Sequence, residues 1–282
     1  MKNKTVLIAD IISSRNIKER YKVQKDILLV INLLNKSYKN HLIKNMEISS
    51  GDSFQGLFDH PSFAFLYIRM FQMLLYPIKV RSGIGVGSLD YLDNEFSSNL
   101  LDGEAYHNAK QALDAIDNST KAITAFVSSK EKQQLTMPIN TTFDMYYKLK
   151  SIFGIKALYI SLVNELLNPM SLEGDINYLK SANEKEMEYI LELIRKNSIQ
   201  ETQSLIQTNL MAIQSKSFAI FEKRNNKLIA NKLEYVQRGI QEDIARIMGT
   251  TRQNIQRYFS KSIANERMYT ASLMIFMDEV VE

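Results

Sequence analysis

Met46-Glu-Ile-Ser-Ser-Gly-Asp-Ser-Phe-Gln-Gly-Leu-Phe58 reads as a hairpin. Met46 to Ser49 and Phe54 to Phe58 are short strands, and Ser50-Gly51-Asp52 between them is a turn signal. Upstream, Thr5-Val-Leu-Ile-Ala9 is a buried-strand pattern that stops at Asp10. Between them, from Ile17 to Ile43, Val23, Ile27, Val30, Ile31 and Leu34 recur at helical spacing. Downstream, Pro61 suits the first turn of a helix reaching Tyr76. Ile78 to Val86 is the next strand, its end made pliable by Gly83, Gly85 and Gly87. A polar, acidic loop then leads to a helix from Gly103 to Ile116, and Ala122 to Val127 is a final strand.

The first six elements, in the order β-α-β-β-α-β, match the split β-α-β or ferredoxin-like plan. A right-handed crossover makes the first two strands parallel and leaves room for the third between them, antiparallel to both. The end of the first strand then lies beside the hairpin turn, so Asp10 and Asp52 should meet although they are far apart in sequence. Beyond Pro138 strand signals fade, and helical patterns run over Phe143 to Leu167, Glu184 to Arg195 and Ile199 to Arg224. Asn164 to Gly174 interrupts them with Pro169 and Gly174.

Composition narrows the chemistry. The 282 residues include 35 Lys and Arg against 31 Asp and Glu, a formal net charge of +4. That total does not by itself indicate nucleic acid, so a local patch would have to do so. With no cysteine there are no disulfides, zinc–thiolate sites or cysteine nucleophiles. His41, His60 and His107 are scattered, which leaves oxygen donors for any metal and hence Mg²⁺, Mn²⁺ or Ca²⁺. Met1-Lys2-Asn3-Lys4 is like a signal-peptide start, but Asp10 cuts the apolar run that follows it. Arg69 breaks the most apolar helix, Ser62 to Tyr76, well short of the roughly 20 residues a span requires. A cytoplasmic protein with no membrane partner is expected.

Two carboxylates converging at strand ends suit a divalent cation that bridges nucleotide phosphates. Asp10 at a strand end and Asp52 in a turn are equally the places where aspartate serves the backbone alone. The surrounding residues extend the first reading. Leu7-Ile-Ala-Asp-Ile11, Ser50-Gly-Asp-Ser-Phe54, Val80-Arg-Ser-Gly-Ile-Gly-Val-Gly87 and Gly103 before a helix resemble the class III nucleotidyl cyclase fold over residues 5–127. The Gly51-Asp52-Ser53-Phe54 turn is also similar to the core of diguanylate cyclases, which share this palm-like fold. The resemblance implies that Asp10, Asp52 and the carbonyl of Ile11 hold Mg²⁺ or Mn²⁺, and that Ser50 and Gly51 lie against a nucleotide triphosphate or related ligand.

A narrower resemblance is carried by Asp10-Ile-Ile-Ser-Ser-Arg15, Arg20 with Gln24, Ser50-Gly-Asp-Ser-Phe-Gln-Gly56 and Asp102-Gly-Glu-Ala-Tyr106, which look like the SatD family. That bacterial family is linked to acid tolerance and secretion, and the resemblance implies a fold without a reaction. The chain departs from the cyclase pattern on the helix after Gly103, where His107 and Gln111 stand in place of an Asn and an Arg. The purine-selecting Lys or Glu falls at Ile48, with Glu47 one position away. The missing transition-state cation favours nucleotide binding over cyclisation. Arg15 and Arg20, at the start of the first long helix, are candidate phosphate ligands, with a solvated helix end as the alternative.

Gln241-Glu-Asp-Ile-Ala-Arg-Ile-Met-Gly-Thr-Thr-Arg-Gln-Asn-Ile-Gln-Arg-Tyr258 is the most specific motif. Ala245, Gly249 and Ile255 have the spacing of a helix-turn-helix, with Ile244, Met248, Ile255 and Tyr258 facing inward. Thr251, Arg252, Gln253, Gln256, Arg257 and Lys261 are left on the outer face, where Arg and Gln read base edges and Thr and Lys hold phosphates. From Ile263 to Val281 a last helix carries Met268, Leu273, Met274, Phe276 and Met277, either as core or as a dimer seam. A homodimer is expected, because symmetric operators favour one and cyclase-fold sites are often built between subunits.

The reading is therefore an α+β chain: a ferredoxin-like, nucleotidyl cyclase-like domain over 1–138, a helical connector over 139–230, and a helix-turn-helix with a terminal helix over 231–282. Its expected function is a DNA-binding transcriptional regulator responsive to a nucleotide and divalent metal. The alternatives are an active metal-dependent nucleotidyl cyclase or nucleotidyltransferase, and a scaffold that keeps both motifs as relics.

Overall fold

The computed structural model describes residues 3–92, 98–116, 121–172, 174–198, 206, 210, 218–219, 221–224, 227–230 and 239–281. The protein is α+β and forms two compact units, Met1–Ser151 with Ser272–Glu282, and Ile152–Ala271. The last residues of the chain thus belong with the sheet, a division that differs from the one drawn along the sequence.

In the first unit the elements run β1 (Lys4–Ile11), α1 (Arg20–Ser37), β2 (Leu42–Ser50), β3 (Ser53–Phe58), α2 (Pro61–Leu74), β4 (Val80–Gly87), α3 (Glu104–Asp114), β5 (Thr124–Val127) and α4 (Thr136–Ser151). The strands form one mixed sheet in the order β2-β3-β1-β4-β5. β1 is antiparallel to both β3 and β4, and only β4 with β5 is parallel. β1 is the hub because Val6, Leu7 and Ala9 are wholly apolar and lie between two neighbours, with both faces covered.

One face of the sheet packs on α3, through Val6, Leu57, Leu89, Leu101, Ala105, Tyr106 and Ala109. The glycines of β4 set how near that helix comes. A Cβ on Gly83 would lie 2.1 Å from the carbonyl oxygen of Ala109, and one on Gly85 2.1 Å from its backbone nitrogen. They serve close approach of helix to strand; the pliable strand end expected from the sequence is not their use. Gly51 (φ 58°) closes the β2–β3 turn and Gly103 (φ 140°) precedes α3, conformations that side chains disfavour.

α2 is buried along its whole length. His60 Nδ1 accepts the Ser62 N–H at 3.1 Å, capping the helix that Pro61 opens. Its outer side is covered by α4, where Phe65 meets Phe143 edge-on at 5.2 Å, and by the end of the chain. The Ser62 hydroxyl donates to the Met274 carbonyl at 3.3 Å, and His60 Nε2 lies 3.3 Å from Asp278. Leu273, Met274 and Met277 are fully buried here. These three are core, while Met268 is exposed and Phe276 half-buried.

The second unit contains α5 (Ile155–Leu167), β6 (Met170–Ser171), α6 (Tyr178–Ser181), α7 (Glu184–Arg195), β7 (Phe218–Ala219), β8 (Phe221–Arg224), β9 (Lys227–Ala230), α8 (Ile240–Met248) and α9 (Arg252–Tyr258). A π-helical turn (Phe259–Ile263) leads into α10 (Ala264–Val281), whose residues from Ser272 belong to the first unit. α7 starts with a reciprocal cap in which Asn183 accepts from the Glu186 N–H and Glu186 accepts from the Asn183 N–H. The carboxylate of Glu165 bonds Arg267 at 3.0 Å, and its other oxygen takes the Met170 N–H at 2.9 Å; both charged side chains are wholly buried.

Several sequence expectations are corrected. The region beyond Pro138 is not all helix: β6 pairs in parallel with β7, and β8 with β9 as a hairpin. Arg224 pairs with Lys227 across the β8–β9 ladder. The helix expected over Ile199 to Arg224 therefore gives way to strand at its end; most of its earlier part lies outside the described residues. The helix expected from Phe143 to Leu167 is two helices, with Gly154 capping the second. α1 stops at Ser37, and Leu42 and Ile43, taken for its end, begin β2.

Candidate functional site

The antiparallel register sets Asp10 opposite Ser53 on β3 and opposite Arg81 on β4. Asp52 immediately precedes Ser53, so the backbone brings both aspartates to one end of the sheet. Alternation along β4 puts Arg81 on the same face as Gly83 and Gly85, the face that carries α3. Its guanidinium grips Asp10 with both arms: Nε donates to Oδ1 at 2.7 Å and Nη2 to Oδ2 at 2.9 Å. The Asp10 side chain is 17% exposed and that of Arg81 37%. The bond to Asp10 holds the guanidinium pKa above its ordinary value against partial burial, and the charges of Asp10, Asp114 and Asp52 add to it. Asp10 is the carboxylate in contact with this cation, and Asp52 and Asp114 act on it at longer range.

At the same end of the sheet, a narrow cleft is lined by Ile11, Ser14, Ile17, Arg20, Val23, Gln24, Ile27, Ile48, Gly51, Asp52 and Phe54, and by neither Asp10 nor Arg81. Its lining is mainly apolar, with Ser14, Arg20, Gln24 and Asp52 as polar members. Of the residues expected to bind metal or nucleotide, it brings together Ile11, Arg20, Gly51 and Asp52. Ser50 lies beside it at the exposed end of β2, paired with Ser53. Arg15 is exposed on a 3₁₀ turn, Ser14–Asn16, that follows Ser13, a non-glycine residue with φ 58°. His107 and Gln111 are exposed on α3 and do not line the cleft. The His107 imidazole lies 3.6 Å from Asp102 at the surface.

Arg81, part of the Val80–Gly87 stretch, lies on a strand and from sequence could face either way. Only the β1–β4 register could assign its face, and nothing local in the sequence gives that register. Asp114 was unmarked, being ordinary for a helix surface, and Ser14 and Gln24 were marked only by the family resemblance.

The donors at this end of the sheet are all oxygen: the Asp10 and Asp52 carboxylates and the Ile11 carbonyl. That chemistry fits a hard divalent cation, and the negative excess around Arg81 favours one. A cation on Asp10 would take over the carboxylate that Arg81 now holds. Among the described residues no group of three or more His, Cys, Asp or Glu side chains forms a metal site.

The second candidate surface lies on α9. Gly249, in the left-handed conformation at φ 64°, ends α8, and the Thr250 N–H returns to the Ala245 carbonyl at 2.9 Å. The Thr251 side chain caps α9 by accepting the Asn254 N–H at 3.2 Å. Ile244, Ile247, Met248 and Ile255 are buried, joined by Phe259. Phe259 has the inward place expected of Tyr258, which is only half-buried. Thr251, Arg252, Gln253, Gln256, Arg257 and Lys261 are all exposed. Arg246 on α8 is instead tied to Asp243 at 3.2 Å.

Comparison with known proteins gives one result. The family model described as SatD family matches residues 5–193, from β1 nearly to the end of α7. The match stops short of α8 and α9. No curated protein matches the chain.

Proposed function

The chain belongs to the SatD family, and on that footing we propose that it is a DNA-binding transcriptional regulator whose first unit binds a nucleotide. The observation that carries the DNA-binding half is the partition of α9. Ile255 is fully buried against α8, and every residue assigned to DNA faces solvent. A glycine-turned pair of helices with a polar outer face is the helix-turn-helix arrangement, in which the second helix enters the major groove. Arg252 and Arg257 would contact guanine edges or phosphates, Gln253 and Gln256 adenine, and Thr251 and Lys261 the backbone. Two half-sites on duplex DNA call for a homodimer.

The nucleotide half rests on the sheet. β3 lies between β1 and β2 and antiparallel to β1, the order of a ferredoxin-like, palm-type domain, and supports the cyclase-like reading. Asp10, Asp52 and the Ile11 carbonyl would hold Mg²⁺ or Mn²⁺, which when bound neutralises phosphate charge. Arg20 and Ser14 would meet the phosphates of a ligand in the cleft, and Ile17, Val23, Ile27 and Phe54 supply its apolar lining. The second reading, an active nucleotidyl cyclase or nucleotidyltransferase, is favoured by the Asp10–Arg81–Asp52 cluster. It is weakened by the exposed positions of His107 and Gln111.

The test of regulation is recovery of bound fragments from random-sequence duplex DNA by the full chain. A shared sequence should emerge, and the variant carrying Arg252→Ala and Arg257→Ala should recover none. Recovery of the same sequence by that variant would sink the proposal. Release of pyrophosphate from a nucleoside triphosphate with Mn²⁺, abolished by Asp52→Asn, would establish the enzyme reading instead.

A further inference from the structure

Arg15-Asn-Ile-Lys-Glu-Arg-Tyr-Lys-Val-Gln-Lys25 holds five basic residues and one acidic, a local excess of four that equals the formal net charge of the entire chain, +4. The rest of the chain, with as many acidic as basic residues, sums to zero. Lys18 stands in the turn before α1, and Lys22 and Lys25 lie on its first two turns, all exposed. Among the described residues Lys22 pairs with Glu19 at 3.9 Å, with both side chains mostly in solvent, which contributes little. Tyr21 is 72% exposed, and the Lys25 ammonium lies 4.4 Å from the centre of its ring. The lysine covers one face of the ring and leaves the other open.

This arrangement is unfavourable for the helix alone. α1 has no acidic residue in its first turn, and its N-cap residue Glu19 makes no side-chain cap, so one carboxylate stands against several cations at the end whose dipole opposes them. Their mutual repulsion is relieved by a polyanion.

We propose that Lys18, Tyr21, Lys22 and Lys25 form a docking surface for single-stranded nucleic acid. The lysines meet successive phosphates, and Tyr21 stacks a base on its open ring face. The exposed ring selects this occupant. A base already stacked in a duplex offers Tyr21 no face, and an acidic peptide makes no use of a flat aromatic surface. An anionic membrane calls for a broader apolar face than Tyr21 and Leu28 supply. The inference goes beyond the regulatory reading and does not depend on α9.

The experiment uses the full chain with Arg252→Ala and Arg257→Ala already in place, so that failure of the DNA-binding reading leaves it untouched. A fluorescent single-stranded thymidine 12-mer is titrated at several salt concentrations. The expected result is binding whose log affinity falls linearly with log salt. Adding Lys18→Gln, Lys22→Gln and Lys25→Gln should lower the slope by about 2, at about 0.7 per lysine on a single strand. Tyr21→Ala should weaken binding about tenfold or more with the slope unchanged. Unaltered thermal melts confirm that these exposed changes leave the fold intact. No binding by the parent at low salt, equal binding by the triple variant, or no effect of Tyr21→Ala overturns the proposal. So does tighter binding to a duplex of the same length or to phosphatidylserine vesicles.

Discussion

Around Asp10 the charged groups answer one another, whereas along α9 they are left to solvent. Arg81 spans both oxygens of Asp10 while sensing Asp52 and Asp114. Arg252, Gln253, Gln256 and Arg257 project outward from a seven-residue helix anchored by buried Ile255. A ligand of the first region has to exchange partners with an existing ion pair, so binding there is coupled to local rearrangement. A ligand of the second meets groups with nothing to give up, as suits a large, flat, charged partner. Stability and function are therefore entangled at the sheet end and separable on the helix.

That contrast can be broken by mutation. The largest effect is expected from Ile255→Ala, which should cost about 3 kcal/mol in chemical denaturation, in line with other buried aliphatic truncations, and abolish DNA binding with it. Gly85→Ala drives a methyl into the backbone of α3 and should cost about 2–3 kcal/mol by the same measurement. A milder result there would mean that α3 can shift and that the site is less rigid than described. Arg81→Gln removes a partly exposed pair and should cost about 1 kcal/mol, after discounting for solvent. It should also weaken binding of a nucleoside triphosphate in calorimetry. Smallest is Arg252→Ala, expected to change stability by less than about 0.5 kcal/mol. If Arg252→Ala destabilises as much as Arg81→Gln, the two regions are not built differently.

How far the sequence could be read follows the same division. α7 coincides with its expected span because one amphipathic face, an Asn183 cap and a Glu three residues on all act within a few positions. Likewise the exposed face of α9 is local, fixed by helical spacing around Ile255. The Asp10–Arg81 pair is not local, since it depends on the pairing of β1 with β4. Gly83 and Gly85 were visible as glycines, but their reason for being glycine, the backbone of Ala109, comes from another element. The burial of Leu273, Met274 and Met277 was hidden for a related reason: a methionine-rich helix face looks the same whether it meets its own chain or a second copy. The β8–β9 pairing was hidden because residues such as Glu222, Lys223 and Leu228 suit helix as well as strand.

The salt dependence of duplex binding tests the central claim most directly. With the duplex recovered from random sequence, the log affinity of the full chain should fall steeply and linearly with log salt, and Arg252→Ala with Arg257→Ala should lower the slope by about 1–2 while erasing sequence preference. An unchanged slope and preference in the double variant, or no duplex binding at low salt, would contradict it.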